Sequence, residues 1–386
     1  MYTVRSAFDE GIASERANTI ALFANTSWYV WNFRRRLLHE LIARGFRVAV
    51  IAPDTAYFAR LSKMHAECHE LAMTRAGTNP VAELGVILNL AILLTKLKPR
   101  ALLTFTPKSN IYGGLAGRAF RVPVVNNISG LGGNLDNQRT RYTDILVRRL
   151  YRIALRKSVA VFFQNVEDRN DFVAAGLVDG ARCGLLPGSG IDLASYRPDG
   201  AVRGERPFTF LLSARLLWSK GIGLYAAAAE RLRQESPPCR FLLLGILDPQ
   251  NPDAVPRERV EKWQREGVLE FYEAVDDVRP YISGADCVVL PTMYREGTPR
   301  SLIEAAAMGK PVIATDRPGC RAVVEHGRSG YLCALGDLED LIDKMRSMRD
   351  LPGAACAAFG QAARTKMERE FDDTIVLQQY LKALGS

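Results

Sequence analysis

Two glutamates, Glu296 and Glu304, lie eight residues apart in a segment whose pattern predicts a loop followed by a helix. Residues 287–291 before them form a short apolar run that includes two β-branched valines and ends in proline, which predicts a buried strand of a parallel sheet. The Thr298-Pro299 pair then resembles an N-cap followed by the first helical residue, and residues 301–308 are rich in helix formers. The pattern therefore predicts Glu296 on a loop and Glu304 inside a helix.

This layout is suited to a ligand that carries both hydroxyls and phosphate. A carboxylate accepts two hydrogen bonds from neighbouring hydroxyls, so one glutamate can hold a ribose and the other a second sugar. The unpaired N–H groups of a helix start attract phosphate. We therefore predict a nucleotide-sugar site. The alternative is two solvated glutamates on a surface helix, since charged residues are common on exposed faces.

Two cations follow another predicted strand, residues 208–214. Arg215 ends this strand, and Lys220 lies five residues later, directly before Gly221. Two cations at a strand end can hold a diphosphate leaving group through charge-assisted hydrogen bonds. The alternative is a surface pair near a turn.

Polar or glycine-rich segments also follow the predicted strands of the first half of the chain. Residues 25–36 mix aromatic and cationic side chains, which can meet a sugar ring or an anionic headgroup, or else pack in the core. We expect the segments that follow the third and fourth predicted strands, residues 106–110 and 126–132, to face a cleft. The turn of residues 187–192 needs glycine conformations, so we expect a hinge or a ligand contact there. The candidates for contact with a second substrate are Ser27, Trp28, Tyr29, Lys108, Asn110 and Asn127.

Length and element order predict two domains. The chain has 386 residues, too many for one ordinary core. Short apolar runs alternate with helical stretches, which predicts two doubly wound α/β domains, residues 1–190 and 191–371, with a last helix near 372–386 that packs back on the first. The predicted strands are residues 19–24, 47–52, 101–105, 122–128, 159–164 and 182–187, then 208–214, 240–245, 269–272, 287–291, 311–315 and 330–333.

The net charge of +9 is concentrated in the first half. Residues 1–190 hold 25 Lys and Arg against 14 Asp and Glu, whereas residues 191–386 hold 26 against 28. An anionic membrane or a diphosphate-bearing substrate explains this better than nucleic acid, because the chain has no recognisable nucleic-acid module. The alternative is that the excess arginine only increases solubility.

Several signals are missing from the sequence. Residues 1–18 have no apolar stretch typical of a signal peptide, and the longest apolar run, residues 85–95, is interrupted by Asn89, so we predict no membrane span. No P-loop, dinucleotide fingerprint or zinc spacing is present, and no Asp-x-Asp follows a strand. We therefore predict chemistry without a metal or cofactor. Seven scattered cysteines with no C-x-x-C pair fit a reducing cytoplasm.

The motifs together resemble the retaining glycosyltransferases of family 4, whose fold is GT-B, two Rossmann-like domains facing each other across a cleft. The resemblance spans nearly the whole chain and is carried by Arg215 with Lys220, by residues 187–192, and by Glu296 with Glu304. Residues 296–302, 315–321, 25–33 and 126–132 resemble especially the bacterial branch that extends lipid-linked glycans for O-antigen, capsule or exopolysaccharide.

The resemblance implies roles for these residues. Arg215 and Lys220 would bind the donor diphosphate, Glu304 the ribose, and Glu296 the transferred sugar together with the backbone of Gly297, Thr298, Pro299 and Arg300, with Gly190 also at the donor site. A hexose or N-acetylhexosamine would pass with retention, without an enzyme nucleophile, from a UDP-sugar, or alternatively a guanosine donor, to a polyprenyl-diphosphate-linked sugar. One departure is Phe105, because many relatives have histidine there.

The basic first half would bind this acceptor at the membrane. We therefore expect a cytoplasmic protein that associates peripherally with the inner face of the cytoplasmic membrane, docking through Arg34, Arg35, Arg36, Arg148, Arg149, Arg152, Arg156 and Lys157. Two other classes stay open: a nucleotide-sugar 2-epimerase, which the sparse histidines disfavour, and a non-catalytic sugar-nucleotide-binding protein, which the presence of both cations and both glutamates disfavours.

Overall fold

The computed structural model describes residues 17–74, 79–130, 141–200, 206–273 and 275–385. Of the segments singled out in the sequence, positions 131 and 132 of residues 126–132 and positions 1–16 of residues 1–18 lie outside the described residues. The chain divides into two compact units. The first unit comprises the residues up to Ser189 together with those from Thr374 on, and the second unit is Gly190–Asp373.

The first unit is built on a parallel sheet of seven strands in the order β3-β2-β1-β4-β5-β6-β7. Alternate residues of β1 face two different cores: Ile20 and Leu22 pack with one set of helices, and Ala21 and Phe23 with the other. Burial on both faces explains the continuous apolar runs in the sequence. The strands are β1 (Ala17–Phe23), β2 (Arg47–Ala52), β3 (Glu67–Glu70), β4 (Pro99–Thr104), β5 (Val124–Ile128), β6 (Ala160–Phe163) and β7 (Cys183–Leu185).

The helices of the first unit cover both faces of this sheet. Those whose apolar residues share the core of Ala21 and Phe23 are α4 (Pro80–Leu97), α5 (Pro107–Ala119), α6 (Arg141–Leu155) and α7 (Val166–Ala174). Those on the opposite face are α1 (Ser27–Phe33), α2 (Arg35–Ala43), α3 (Phe58–Ser62) and the last helix of the chain, α15 (Asp373–Leu384).

The second unit has a parallel sheet of six strands in the order β10-β9-β8-β11-β12-β13. Its strands are β8 (Phe208–Ser213), β9 (Cys239–Gly245), β10 (Glu270–Glu273), β11 (Cys287–Leu290), β12 (Val312–Thr315) and β13 (Gly330–Cys333). Its helices are α8 (Ile222–Leu232), α9 (Arg257–Arg265), α10 (Arg279–Gly284), α11 (Arg300–Ala307), α12 (Pro318–Val323), α13 (Leu338–Arg349) and α14 (Gly353–Glu370).

The predicted fold class is confirmed, and all twelve predicted strands are present. The sequence missed β3, which pairs with β2 at the sheet edge. Its four residues, Glu-Cys-His-Glu, are polar and have no apolar alternation, because an edge strand has only one neighbour and is partly exposed.

The helix α4 is long and apolar enough to cross a membrane by length and composition, with a mean hydropathy of 1.7 over 18 residues. In the structure it connects β3 to β4 of one sheet, and Val86, Leu90 and Leu94 pack in the core. It is therefore part of the helical layer of the first unit.

Candidate active site

The loops after β8 and β11 carry the residues that the sequence predicts to do chemistry. Arg215 and Lys220 follow β8, Glu296 follows β11, and the two strands are neighbours. Parallel neighbours end at the same edge of a sheet, where α/β proteins bind ligands. The amides of Met293 and Tyr294 donate to the carbonyl of Ser219 at 2.8 and 3.1 Å, which joins the two loops.

Lys220 and Glu296 form an ion pair at this junction. Lys220 Nζ donates to Glu296 Oε1, and Thr292 Oγ1 donates to the same oxygen at 3.1 Å. The two charged side chains are only 14% and 11% exposed. The ammonium also lies 5.0 Å from the centre of the Tyr294 ring. The fold thus joins two residues that lie 76 positions apart in sequence as a partly buried ion pair.

Two glycines permit close backbone contacts with the loop that follows β11. Gly221 has φ +77°, and a Cβ there would lie 2.0 Å from the Pro291 carbonyl oxygen. A Cβ on Gly319, in the first turn of α12, would lie 1.8 Å from the carbonyl oxygen of Gly297. The backbone at Gly297 is therefore fixed by direct packing that a larger residue would prevent.

Helix α11 begins at Arg300, with Pro299 as its N-cap and Thr298 on the loop before it. The prediction of Thr298 as the N-cap with Pro299 as the first helical residue was wrong by one position. Pro299 has ψ 120°, an extended value outside the helical region, so the helix starts one residue later. Glu296 lies on the loop and Glu304 in the helix, as the sequence predicted.

Glu304 is the centre of a second polar cluster. Its Oε1 accepts hydrogen bonds from Arg300 Nε at 2.9 Å and from the Tyr196 hydroxyl at 3.2 Å. Arg300 Nη1 also donates to the carbonyl of Gly190, and its guanidinium lies 5.6 Å from the centre of the Tyr196 ring. Glu304, Arg300 and Gly190, three predicted donor-site residues, are thus joined in one network.

The sequence did not single out Tyr196. It lies after the turn that contains Gly190, and no motif connects it to a glutamate 108 positions away. Burial, followed by the nearby charge of Glu304, raises the pKa of Tyr196 to about 12. Its hydroxyl therefore stays protonated at neutral pH and donates to Glu304.

Arg215 is the most open of the predicted donor residues. Its side chain is 48% exposed, and its Nη1 lies 3.9 Å from Asp248 Oδ2, at the limit of an ion pair. A solvent-accessible guanidinium next to the Lys220 loop is well placed to bind an anionic oxygen. The arrangement as a whole offers cations for phosphate and carboxylates for hydroxyls.

Within the described ranges, no group of three or more His, Cys, Asp or Glu side chains gathers as a metal site. The expectation of metal-free chemistry stays a prediction.

The predicted acceptor residues lie in the first unit, and three of them have their polar atoms engaged inside it. Ser27 Oγ donates to Asp54, and Tyr57 N donates to Ser27 Oγ at 3.0 Å. The side chain of Asn110 accepts from Thr104 at 2.6 Å and donates to the carbonyl of Asn127 at 2.8 Å. Asn127 Nδ2 donates to the Tyr380 hydroxyl at 2.8 Å. Both asparagines are buried.

The other three acceptor candidates are more accessible. Trp28 is partly exposed, with an edge contact to Phe33, and Tyr29 is half-buried. Lys108 Nζ donates to Glu83 Oε1 at 2.5 Å and to the Thr74 carbonyl at 2.9 Å. Their roles toward an acceptor stay predictions.

Arg34 was predicted at an exposed docking face, and this was wrong, because its side chain is only 1% exposed. Its guanidinium lies 4.7 Å from the centre of the Phe105 ring and within 6 Å of the Tyr29 and Tyr380 rings. Its Nη2 donates to the Tyr29 hydroxyl at 3.0 Å. Phe105 is fully buried as one wall of this aromatic enclosure.

The fold, with two parallel-sheet α/β units, is that of a two-domain glycosyltransferase. A family model described as "Glycosyl transferase 4-like domain" matches residues 30–188, and one described as "Glycosyl transferases group 1" matches residues 207–350. The two models together match most of the chain. The chain therefore belongs to the glycosyltransferase family that these two domains define.

Individual relatives agree with this assignment. The chain is 25% identical over 378 residues to the N,N'-diacetylbacillosaminyl-diphospho-undecaprenol alpha-1,3-N-acetylgalactosaminyltransferase of Campylobacter jejuni, covering 94% of this chain and 97% of the relative. It is 23% identical over 283 residues to the UDP-Gal:alpha-D-GlcNAc-diphosphoundecaprenol alpha-1,3-galactosyltransferase of Escherichia coli, covering 70% and 71%.

The fold is that of solved glycosyltransferase structures. The structure of Anabaena HepE in complex with UDP and glucose has a TM-score of 0.77 to this chain at 20% identity, and the alignment covers 95% of this chain and 99% of HepE. A glycosyltransferase from Rickettsia africae has a TM-score of 0.74 at 17% identity, with 96% and 98% covered.

Proposed function

We propose that this glycosyltransferase moves a hexose or N-acetylhexosamine from a UDP-sugar to a polyprenyl-diphosphate-linked sugar, with retention and without a metal, in bacterial surface-polysaccharide synthesis. The observation that carries the proposal is the edge formed by the β8 and β11 loops. There the Lys220–Glu296 pair, the Arg300–Glu304 pair and the exposed Arg215 lie on two joined loops and the helix that follows them. The relatives' undecaprenol-diphosphate substrates support the acceptor class.

In this reaction the bond between the anomeric carbon and the donor phosphate breaks as the acceptor hydroxyl bonds to the same face of that carbon. The acceptor proton passes to a leaving phosphate oxygen, so no enzyme nucleophile is needed. Negative charge grows on the diphosphate, and Arg215 and Lys220 stabilise it by electrostatic attraction. Glu304 and Glu296 accept hydrogen bonds from the ribose and from the transferred sugar, which fixes their orientation.

The donor site is tested with Lys220→Ala, against Lys262→Ala as the matched control. Lys262 also pairs with a glutamate, Glu266, but on the surface of α9. We expect Lys220→Ala to lower kcat/KM for the UDP-sugar by roughly 10²–10³-fold, as when one transition-state charge donor is removed. The control should keep the full rate. Equal rates for the two variants would contradict the proposed leaving-group role.

The reaction class is tested by measuring UDP release with and without a lipid-linked acceptor. A transferase releases UDP in proportion to transfer, an epimerase changes the sugar without acceptor, and a binding protein does neither. Nuclear magnetic resonance of the product should show the anomeric configuration of the donor, and chelation with EDTA should leave the rate unchanged. An inverted product would refute retention alone.

We place the protein at the cytoplasmic face of the membrane, where a polyprenyl-linked acceptor is accessible. The basic residues of the first unit support this location.

A further inference from the structure

Helix α4 carries an exposed apolar stripe that the proposed chemistry does not use. Val81, Leu84, Leu88 and Ile92 are 80%, 56%, 55% and 53% exposed. Their spacing of three and four residues places them in one line along the helix. The opposite side of α4 is apolar as well, but it is buried in the core. Large apolar side chains in a continuous exposed row are typical of an interaction surface.

The stripe carries no charge until the end of the helix. The only acidic residue of α4 is Glu83, and its two carboxylate oxygens accept hydrogen bonds from Lys108 Nζ and from the Tyr112 hydroxyl, both at 2.5 Å. Lys96 and Lys98, at the C-terminal end of α4, are exposed. The stripe is therefore apolar along its length and cationic at one end.

The neighbouring helices continue this cationic end. Because α4, α5 and α6 each connect parallel strands of one sheet, they run in the same direction. Their C-terminal ends therefore all lie on the side of the sheet where the strands begin. Helix α5 has no acidic residue. The exposed cations at the ends of α5 and α6 are Arg118, Arg121, Arg156 and Lys157.

Helix α6 repeats the combination of apolar and cationic residues. Leu146 and Ile153 are exposed, and Arg148 and Arg149 between them are exposed as well. Arg35 and Arg36, which the sequence grouped with these arginines, lie on α2, whose apolar residues pack against the opposite face of the sheet. The predicted basic residues therefore do not form one face. The α4–α6 face carries several of them beside a row of exposed apolar side chains, whereas on the opposite face Trp28 of α1 is exposed by 38%.

We propose that the α4–α6 face docks on an anionic phospholipid surface, with the α4 stripe in the boundary between headgroups and acyl chains and the cations on the phosphates. The choice of a lipid partner rests on the proposed function, because the acceptor there is membrane-bound. An apolar helix face flanked by Lys and Arg binds such a boundary through both area and charge. Since α4 connects two strands of one sheet and packs in the core, it lies on the membrane without crossing it.

Charge favours a membrane over a second copy of this chain. A symmetric dimer through this face would bring the same cations of both copies together, and like charges in contact oppose association. An anionic bilayer neutralises them.

The test is co-sedimentation of the full chain with vesicles of phosphatidylglycerol and phosphatidylcholine, compared with pure phosphatidylcholine. The variant Leu84→Gln/Leu88→Gln should bind the anionic vesicles at least about tenfold more weakly, because two large apolar side chains leave the boundary. Glutamine keeps the helix propensity. The control Val275→Gln/Leu335→Gln changes two exposed apolar residues of the second unit and should bind like wild type.

The contribution of the cations to vesicle binding is tested with Lys96→Gln/Lys98→Gln. This variant should bind anionic vesicles more weakly than wild type at low salt and nearly as well at high salt. Equal binding of the α4 variant and wild type would overturn the proposal. So would a wild-type dimer that the α4 variant converts to a monomer without any vesicle binding.

Failure of this proposal is distinguishable from failure of the proposed function. Vesicle binding needs neither donor nor acceptor. Binding to vesicles without any sugar transfer would therefore support the docking face and contradict the proposed function. Transfer to a short soluble acceptor without vesicle binding would do the reverse. Because α4 belongs to the first unit, folding of the α4 variant is checked in that unit: hydrogen exchange should show wild-type protection of β1, β4 and β5.

Discussion

The two ion pairs of the site differ in how their carboxylates are held. Glu296 accepts from Lys220 and Thr292, whereas Glu304 accepts from Arg300 and Tyr196. Both carboxylates are thus oriented before a substrate arrives, which lowers the entropy cost of ordering them on binding. Orientation of Glu304 depends on Tyr196, a residue outside the recognised motif.

Tyr196→Phe should weaken UDP binding by roughly three- to tenfold, equivalent to about 1 kcal/mol for one hydrogen bond. The substitution leaves Glu304 with Arg300 as its hydrogen-bond donor in this network and frees one lone pair. Titration calorimetry with UDP measures the change. Because the pKa of Tyr196 is raised to about 12, the wild-type bond persists at neutral pH, and the difference between variant and wild type should be constant from pH 6 to pH 9.

Tyr272→Phe is the matched control. Its hydroxyl also donates to a glutamate, Glu270, at 3.1 Å, but on the edge strand β10, which β9 separates from β8. UDP affinity should be unchanged in this variant. If Tyr196→Phe bound UDP as tightly as wild type, Tyr196 would have no part in orienting Glu304 for the donor.

At the residue scale, the sequence correctly predicted Glu296 on a loop and Glu304 in a helix, while the roles of these residues toward a donor stay predictions. It could not separate ligand-facing polar residues from structural ones. Ser27 and Asn110 follow strands and Asn127 lies near the end of β5. All three are polar, yet their partners include Asp54 and Tyr380, which are distant in sequence. Only the tertiary fold shows that these polar atoms are already engaged.

At the scale of elements, hydrophobic pattern predicted the strands because most of them are buried on both faces. It missed β3, whose residues Glu-Cys-His-Glu show no apolar alternation, and it placed the start of α11 one residue early. The helix start depends on the backbone angle of Pro299, which proline fixes in φ but not in ψ. Sequence could not show how closely the loops approach each other either.

The close contact between Gly221 and the Pro291 carbonyl leaves no room for a side chain at position 221. Gly221→Ala should destabilise the second unit by about 1–3 kcal/mol from backbone strain alone, because its φ is +77° and its Cβ would meet the Pro291 carbonyl. It should also displace the neighbouring Lys220 and lower UDP affinity. Urea denaturation and calorimetry measure the two effects.

Gly353→Ala is the control for this substitution. Gly353 is the first residue of α14, and a Cβ there has no neighbour within 4 Å. Alanine should be neutral or slightly stabilising at this position. If Gly221→Ala were as stable as this control, the close contact with Pro291 would not constrain the loop.

At the scale of the whole molecule, the first unit is completed by the end of the chain. Helix α15 packs on the β1 face with Val376, Tyr380 and Leu384 buried. Tyr380 touches Phe105 and Phe162, accepts the hydrogen bond of Asn127, and lies beside the guanidinium of Arg34. The first unit therefore cannot reach its full stability without α15.

Tyr380→Ala should therefore destabilise the first unit by about 3–5 kcal/mol, the usual cost of removing a fully buried aromatic side chain. Tyr380→Phe keeps the ring and loses only the hydroxyl, so it should cost about 1–3 kcal/mol, from leaving Asn127 Nδ2 without this partner. Hydrogen exchange should show faster opening of β1, β4 and β5 in the alanine variant and unchanged protection of β8 and β11. Equal loss of protection in both sheets would mean that the two units unfold as one cooperative block, and unchanged protection of β1 would mean that α15 does not stabilise the first sheet.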